Sequence, residues 1–344
     1  VFVLLLACAT PPSSLPLLQA GEPQPLEPAE VVAAADLDGD GRDEIIRVRD
    51  GKALWRDQQV DLGGLAQAVS RGDIDGDGRE EALIATGIGR GMPDVPARLW
   101  SIGDDGGRIL WERDGPRNQV ADLHVVDGAP GQPDRVFLVA FTDARTTTGG
   151  WLVDGRLEPL HEASMALRMQ PLGPDLVVGR LYGDAPKTPG DLRLIDARGE
   201  DRPLSAHRGI RSLASGDLDG DGSPELLVGD GWHYAYGEHA QPTLRLFPEA
   251  GVGQPRVIAR LDGSYAIEEI EVAQPPDGGP AVILATGSSS VVLLQRDALG
   301  WAPTTIGRVE PSGNAVIAHD DDTLSVVVSG RPATRVPLTR PSTR

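Results

Sequence analysis

DLDGDGRDE at 36–44, DIDGDGREE at 73–81 and DLDGDGSPE at 217–225 are three copies of one acidic nonapeptide. Carboxylates at positions 1, 3, 5 and 9 can converge on one hard cation. The glycine at position 6 permits the sharp turn and the position-7 carbonyl adds a ligand, so each copy reads as a calcium loop. The expected side-chain ligands are Asp36, Asp38, Asp40 and Glu44, then Asp73, Asp75, Asp77 and Glu81, then Asp217, Asp219, Asp221 and Glu225. Arg42, Arg79 and Ser223 are each expected to offer a backbone oxygen. Asp-Gly hairpin turns would explain one copy, not three with the same acid positions.

The residues just after each loop decide the kind of site. An EF-hand needs a bidentate Glu at position 12 and a helix after it, whereas position 12 is Arg47, Ile84 or Val228. The chain instead runs into IIRV, ALIAT and LLVG, apolar stretches of strand length. Each loop therefore connects two strands. Strand, DxDGDGxx(D/E), strand resembles the FG-GAP or VCBS repeat of integrin-like β-propellers and many bacterial surface proteins. That resemblance implies a calcium-stabilised propeller and leaves the ligand open, because function lives in sites grafted onto folds.

The first two loops start 37 residues apart, and 144 residues separate the second from the third. That interval holds two degenerate units, VADLHVVDGAPGQPDRVFLVA from Val120 and MALRMQPLGPDLVVGR from Met165. Two more come after the third loop, IEEIEVAQPPDGGPAVILATG from Ile267 and AVIAHDDDTLSVVVSG from Ala315. A third strand with a leucine (ALWRD, ARLWSI, GGWLVDG, LRLIDA, LRLFPEA, VVLLQRD) and then a fourth complete most units. Seven units of four strands, at a period of roughly 37 to 57 residues, predict an all-β, seven-bladed β-propeller. The last unit lacks a fourth strand, and QPLEP at 24–28 is expected to supply it by pairing with the last blade and removing an open edge. Trp55, Trp100, Trp111 and Trp151 fall on third or fourth strands and are expected to pack between blades.

Composition fits one such domain over 24–340, with a short tail at 341–344. Apolar residues make up 40% of 344, 43 Gly and 29 Pro supply turns, and no long amphipathic helical pattern appears. A formal charge of −19 argues against nucleic-acid binding, which needs a basic footprint. A monomer is expected.

The amino terminus reads VFVLLLAC. Its apolar run is far short of the roughly 20 residues that span a bilayer as a helix. Leu5, Leu6, Ala7 and Cys8 resemble the lipobox of a bacterial lipoprotein, which implies a signal-peptide remnant at 1–7, lipid attachment to Cys8 and a tether at 8–23. The membrane is then met through the lipid alone. No Asp follows Cys8, so the outer membrane or cell surface is expected rather than the inner membrane. With one cysteine, no internal disulfide forms, and calcium and blade packing are the expected staples.

If the first strand of each unit is innermost, the acidic loops lie on one face and the connections between second and third strands on the other. The fifth unit's connection, DGWHYAYGEHAQP, carries Trp232, His233, Tyr234, Tyr236, Glu238 and His239. Together with Arg90, Arg145 and Arg180 these residues form the candidate binding face, suited to an anionic glycan or an acidic protein segment of the cell envelope. The alternative is a carbohydrate-active, polysaccharide lyase-like enzyme using His233, Glu238 and His239. Neither GxSxG nor HExxH is present. Arg71, Gly72 and Asp73 spell RGD, but Asp73 is position 1 of the second loop.

Overall fold

The computed structural model describes residues 16–341 except 89–94, 116, 130, 184–187, 189, 207–208, 233–240, 249–253, 298–299, 311–312 and 321. Cys8 and the lipobox therefore lie outside the described residues. Within them the chain forms seven antiparallel sheets and no helix. Their first strands are Val31–Ala35, Leu65–Gly72, Val120–Val126, Ala166–Leu172, Ile210–Gly216, Ile267–Ala273 and Ala315–Asp320. Each first strand packs beside that of the next sheet, and the seventh packs beside the first. The sheets are thus blades in a closed ring around a channel.

From blade two to blade seven the second strand is buried on both faces, which is why it reads as a largely unbroken apolar run rather than an alternation, whereas Glu44–Arg49 of blade one is only partly buried. In Glu81–Gly87 all seven residues are buried. Ala82 and Ile84 point into a cluster shared with the first blade, and Leu83 and Ala85 into one shared with the third. This is the two-residue period of a strand with a neighbouring blade on each side. Seven such apolar clusters occur, one between each adjacent pair of blades. Trp55 and Trp100 fill the cluster between blades one and two, and Trp111 the next. Trp151 stacks edge-to-face on Phe137, with ring centroids 5.2 Å apart.

In blades two, four, five and six a glycine stands at or next to the end of the second strand, where the next blade approaches. A Cβ on Gly229 would press into Ser212 Oγ and come within 2.8 Å of Ile267 Cγ2 at the start of blade six. Five inner strands also carry one extra residue at the same point: Gln67, Ala121, Leu167, Arg211 and Glu268. Such bulges raise the local twist and re-aim the side chains beyond them. Ala68, Asp122, Arg168, Ser212 and Glu269 consequently hold equivalent places around the ring.

The seventh sheet contains Ala315–Asp320, Thr323–Val328 and Thr334–Thr339, and two short N-terminal strands, Gln19–Ala20 and Gln24–Pro25, pair antiparallel with the last of these. Part of the segment expected as a tether therefore belongs to the domain. Leu18 is buried in the cluster between blades six and seven, and the Gln295 amide brackets it: Leu18 N donates to Oε1 at 2.7 Å and Nε2 donates to Leu18 O at 2.8 Å. The seam between blades seven and one has a small Ala/Val cluster. It is stitched by Asn314, whose Oδ1 accepts from Val32 N and whose Nδ2 donates to Val32 O, both at 2.8 Å.

Candidate functional site

The three acidic loops share one conformation. Glycines at positions 4 and 6 are left-handed in every copy, with φ of 76° and 87° at Gly39 and Gly41, 78° and 87° at Gly76 and Gly78, and 79° and 86° at Gly220 and Gly222. The sequence reading singled out position 6 alone; position 4 is equally constrained. In each loop the position-1 Asp accepts from the N–H of position 6 at 2.9 Å, and the position-9 Glu accepts from the N–H of position 2 at 2.8–3.1 Å. The second oxygen of each position-1 Asp accepts from the N–H of position 5 at 3.0–3.2 Å, and the carboxylates still draw together. Oxygens of Asp36, Asp38 and Asp40, of Asp73, Asp75 and Glu81, and of Asp217, Asp219 and Glu225 lie within 4.8 Å of one another.

The position-9 glutamates feel both burial and their acidic neighbours. Burial, with the neighbouring charges of Asp75 and Asp77, pushes Glu81 up to about 7. Glu225 is raised by burial and by Asp219, Asp221 and Asp217. An oxygen-only donor set fits a hard divalent cation, which would reverse the shifts of these glutamates.

Position 8 has a separate task that the sequence did not disclose. Asp43 N donates to His319 O at 3.0 Å in blade seven, while Asp43 Oδ2 accepts from His319 N at 2.8 Å. Glu80 of loop two makes the same reciprocal pair with Asp36 of loop one, at 3.1 and 3.4 Å. Asp134, in the degenerate turn of blade three, makes it with Asp73 at 2.7 and 2.9 Å. An acid at this place thus clasps the preceding blade. Loop three has Pro224 there, without an N–H to donate toward blade four; its own Asp217 O is met from the next blade, by Gln274 Nε2 at 3.0 Å. The RGD arginine is drawn into this framework. Arg71 pairs with Asp43 and lies 3.9 Å from both Glu80 and Glu271.

The channel encloses about 780 Å³ and is lined by inner-strand residues of all seven blades. Three glutamates line it from blade six, and two have cationic company: Glu268 lies 3.8 Å from Arg211, and Glu271 lies near Arg71. Glu269 has no ion-pair partner among the described residues, and the charge of Arg168 only partly offsets its burial. Burial, reinforced by the charges of Glu271 and Asp122, pushes its carboxyl up to about 8. Arg168, its equivalent on blade four, donates instead to the carbonyls of Ala121 and Leu167. The folded state therefore holds a proton on Glu269 that the unfolded chain releases near pH 4.5, so this group's contribution is intact below that value and lost as pH rises through about 8. Glu269→Gln is expected to flatten the fall of stability between about pH 5 and 8, by an amount on the order of a few kcal/mol. Denaturation midpoints across that range test it, and parallel pH profiles for the two proteins would refute it.

The connections between second and third strands open on the face opposite the acidic loops, as the alternation of strand directions requires. Of the residues expected to form a binding face, Arg90, His233, Tyr234, Tyr236 and His239 lie outside the described residues, as does Glu238. Trp232 stands where the blade-five connection begins: its N–H donates to Tyr265 O at 2.7 Å and its carbonyl accepts from Arg211 Nη2 at 2.8 Å. Arg145 is exposed. The Arg180 guanidinium is engaged by Asp191, with Nη2 to Oδ2 at 2.8 Å. Two residues at this mouth of the channel were not singled out from the sequence. Arg117 lies 3.7 Å over the Phe141 ring, and Tyr265 is 47% exposed; an isolated Arg or Tyr in a turn carries no local signal of its place on a rim.

No family model and no curated protein matches this chain. Solved structures do. The crystal structure of BBS1N in complex with ARL6DN, soaked with lead, is similar with a TM-score of 0.58 at 10% identity, covering 96% of this chain and 99% of that one. The same complex soaked with mercury gives 0.57 at 8% identity, over 95% and 98%. At such identities the likeness shows the fold, a seven-bladed β-propeller, and nothing finer.

Proposed function

We propose that this protein is a calcium-stabilised, FG-GAP/VCBS-like propeller that serves as a binding scaffold for a protein or glycan partner at the bacterial cell envelope. The observation that carries the reading is the division of labour between the faces. One face presents three loops of one conformation whose carboxylates converge. The opposite face presents the longer connections, on a framework those loops would stiffen. Function concentrates on loops held by a rigid scaffold. BBS1N, a propeller of the same architecture, was crystallised in complex with a protein, ARL6DN, which supports protein docking as a use of this fold. Asp36, Asp38, Asp40 and Glu44, with their counterparts in loops two and three, would hold the ions, joined by the carbonyls of Arg42, Arg79 and Ser223. Pairing of the N-terminal strands with the last blade would act as the clasp that closes the ring, and a lipid on Cys8 would tether it to the outer membrane or surface.

The binding reading is tested by pull-down from envelope extract in calcium buffer. The domain from Pro16 onward is compared with a Trp232→Ala, His233→Ala, Tyr234→Ala variant of matched melting temperature. A protein or glycan retained by the parent and lost by the variant is the expected result. Equal retention would remove the blade-five connection from the binding face, and retention by neither would remove the scaffold reading.

A further inference from the structure

Loop one differs from its two copies in one respect. Its convergent carboxylates are Asp36, Asp38 and Asp40, whereas in the other loops the position-9 glutamate joins the cluster. The cause is Arg56. This residue sits in the turn between Lys52–Trp55 and Gln58–Asp61, the third and fourth strands of blade one, in a left-handed conformation with φ of 44°. Its Nη2 donates to Glu44 Oε1 at 2.6 Å and also to Asp38 Oδ2. Its Nη1 reaches across to blade two and donates to Asp104 Oδ1 at 2.8 Å, beside Gln58 Nε2, which donates to Asp104 O at 2.7 Å. A guanidinium therefore occupies the position-3 and position-9 carboxylates of one loop.

Loop two has a weaker counterpart. Arg108 Nη2 stands 3.3 Å from Asp75 Oδ2, at position 3, and its side chain is 56% exposed. It makes no hydrogen bond to Glu81 among the described residues, and Glu81 remains in its cluster. Around loop three, no described basic side chain forms an ion pair with the acids.

We propose that Arg56 is a tethered counter-ion that competes with calcium for Asp38 and Glu44, making loop one the weakest of the three sites and a two-state element, closed by arginine or filled by metal. The proposal rests on the calcium reading above. The physics is mutual exclusion: a cation that takes Asp38 and Glu44 must displace the guanidinium, and two charge-assisted hydrogen bonds are lost in doing so. Loops two and three lose no such bonds. Filling loop one also releases Arg56 from its alignment between Asp38, Glu44 and Asp104, so its state is felt at the rim between blades one and two.

Calcium titration by isothermal calorimetry tests this, using the domain from Pro16 onward, Arg56→Gln and Arg56→Lys. The parent is expected to bind two ions tightly and a third about ten- to a hundredfold more weakly. Arg56→Gln is expected to bring the third site to the affinity of the others, with Arg56→Lys in between. Melting in chelator provides a second measurement, because Arg56→Gln removes the counter-ion that holds loop one without metal: it should melt lower than the parent in chelator, and the gap should close in calcium. Three equal sites in the parent, or a third site unmoved by Arg56→Gln, would overturn the role of Arg56 while leaving calcium binding in place. No calcium uptake by parent or variants would overturn both.

Discussion

In excess chelator the domain is expected to melt about 10 °C below its value in about 1 mM free calcium. A ligand that binds only the folded state stabilises it by RT ln(1 + [L]/Kd), about 2.7 kcal/mol per site at a hundredfold excess over Kd. Two loops that bind in the range of about 10 µM would together contribute roughly 5 kcal/mol, and a domain of this size shifts by about 2 °C per kcal/mol. Asp217→Asn with Asp221→Asn should remove loop three's share of the shift and leave the melt in chelator unchanged or slightly raised, since these acids repel one another when no cation is bound. Protons provide an independent readout. Glu81 is held at about 7 by burial and by Asp75 and Asp77, so metal binding at neutral pH should release a fraction of a proton from loop two, visible as a buffer-dependent binding enthalpy. An identical melt with and without chelator would sink the calcium assignment.

Asp43→Ala is expected to cost about 3–5 kcal/mol, the range for removing one partner of a buried ion pair. The Asp43 side chain is 2% exposed and is paired with Arg71 and His319, and it clasps blade one to blade seven through the His319 peptide. Burial opposes its charge, but the hydrogen bonds from His319 and the charge of Arg71 outweigh burial and hold the carboxyl below its usual range. Its contribution is therefore present above the unfolded carboxyl pKa and lost as pH falls through the lower folded value. Urea denaturation should show a large gap between parent and variant near neutrality that narrows in acid. Asp43→Leu combined with Arg71→Met is expected to stay well below the parent, because Arg71 also answers Glu80 and Glu271, each 3.9 Å away. A cost below about 1 kcal/mol at pH 7 would show that the seam is held by Asn314 and the apolar cluster alone.

The parts of this molecule that were legible in the sequence are those whose physics is local. A nine-residue loop specifies its own turn through its glycines and its own donors through its acids. The strand after it announces itself because both its faces are buried, as Ala82 to Ala85 show. The degenerate third unit could be aligned because its turn kept the same order, and its Asp134 holds the same post as Glu80.

The features that stayed hidden depend on partners distant in sequence. Asp43 and Glu80 look like two more solvated acids in an acidic loop, because nothing nearby in the chain reveals His319 or the preceding loop. Arg56 looks like a solvated hairpin residue; only the folding of that hairpin back toward the loop makes it a rival to a cation. Leu18 reads as part of a Pro- and Ser-rich leader until Gln295 and the last blade are brought beside it. Repeat, strand order and acid positions were written in the chain alone, since each is set by backbone geometry and burial within a few residues. Which acids clasp, which arginine answers a loop, which glutamate keeps its proton and how the last blade acquires its outer edge were settled in the folded ring. Those outcomes turn on charge, desolvation and strand pairing between segments that meet only when the ring is closed.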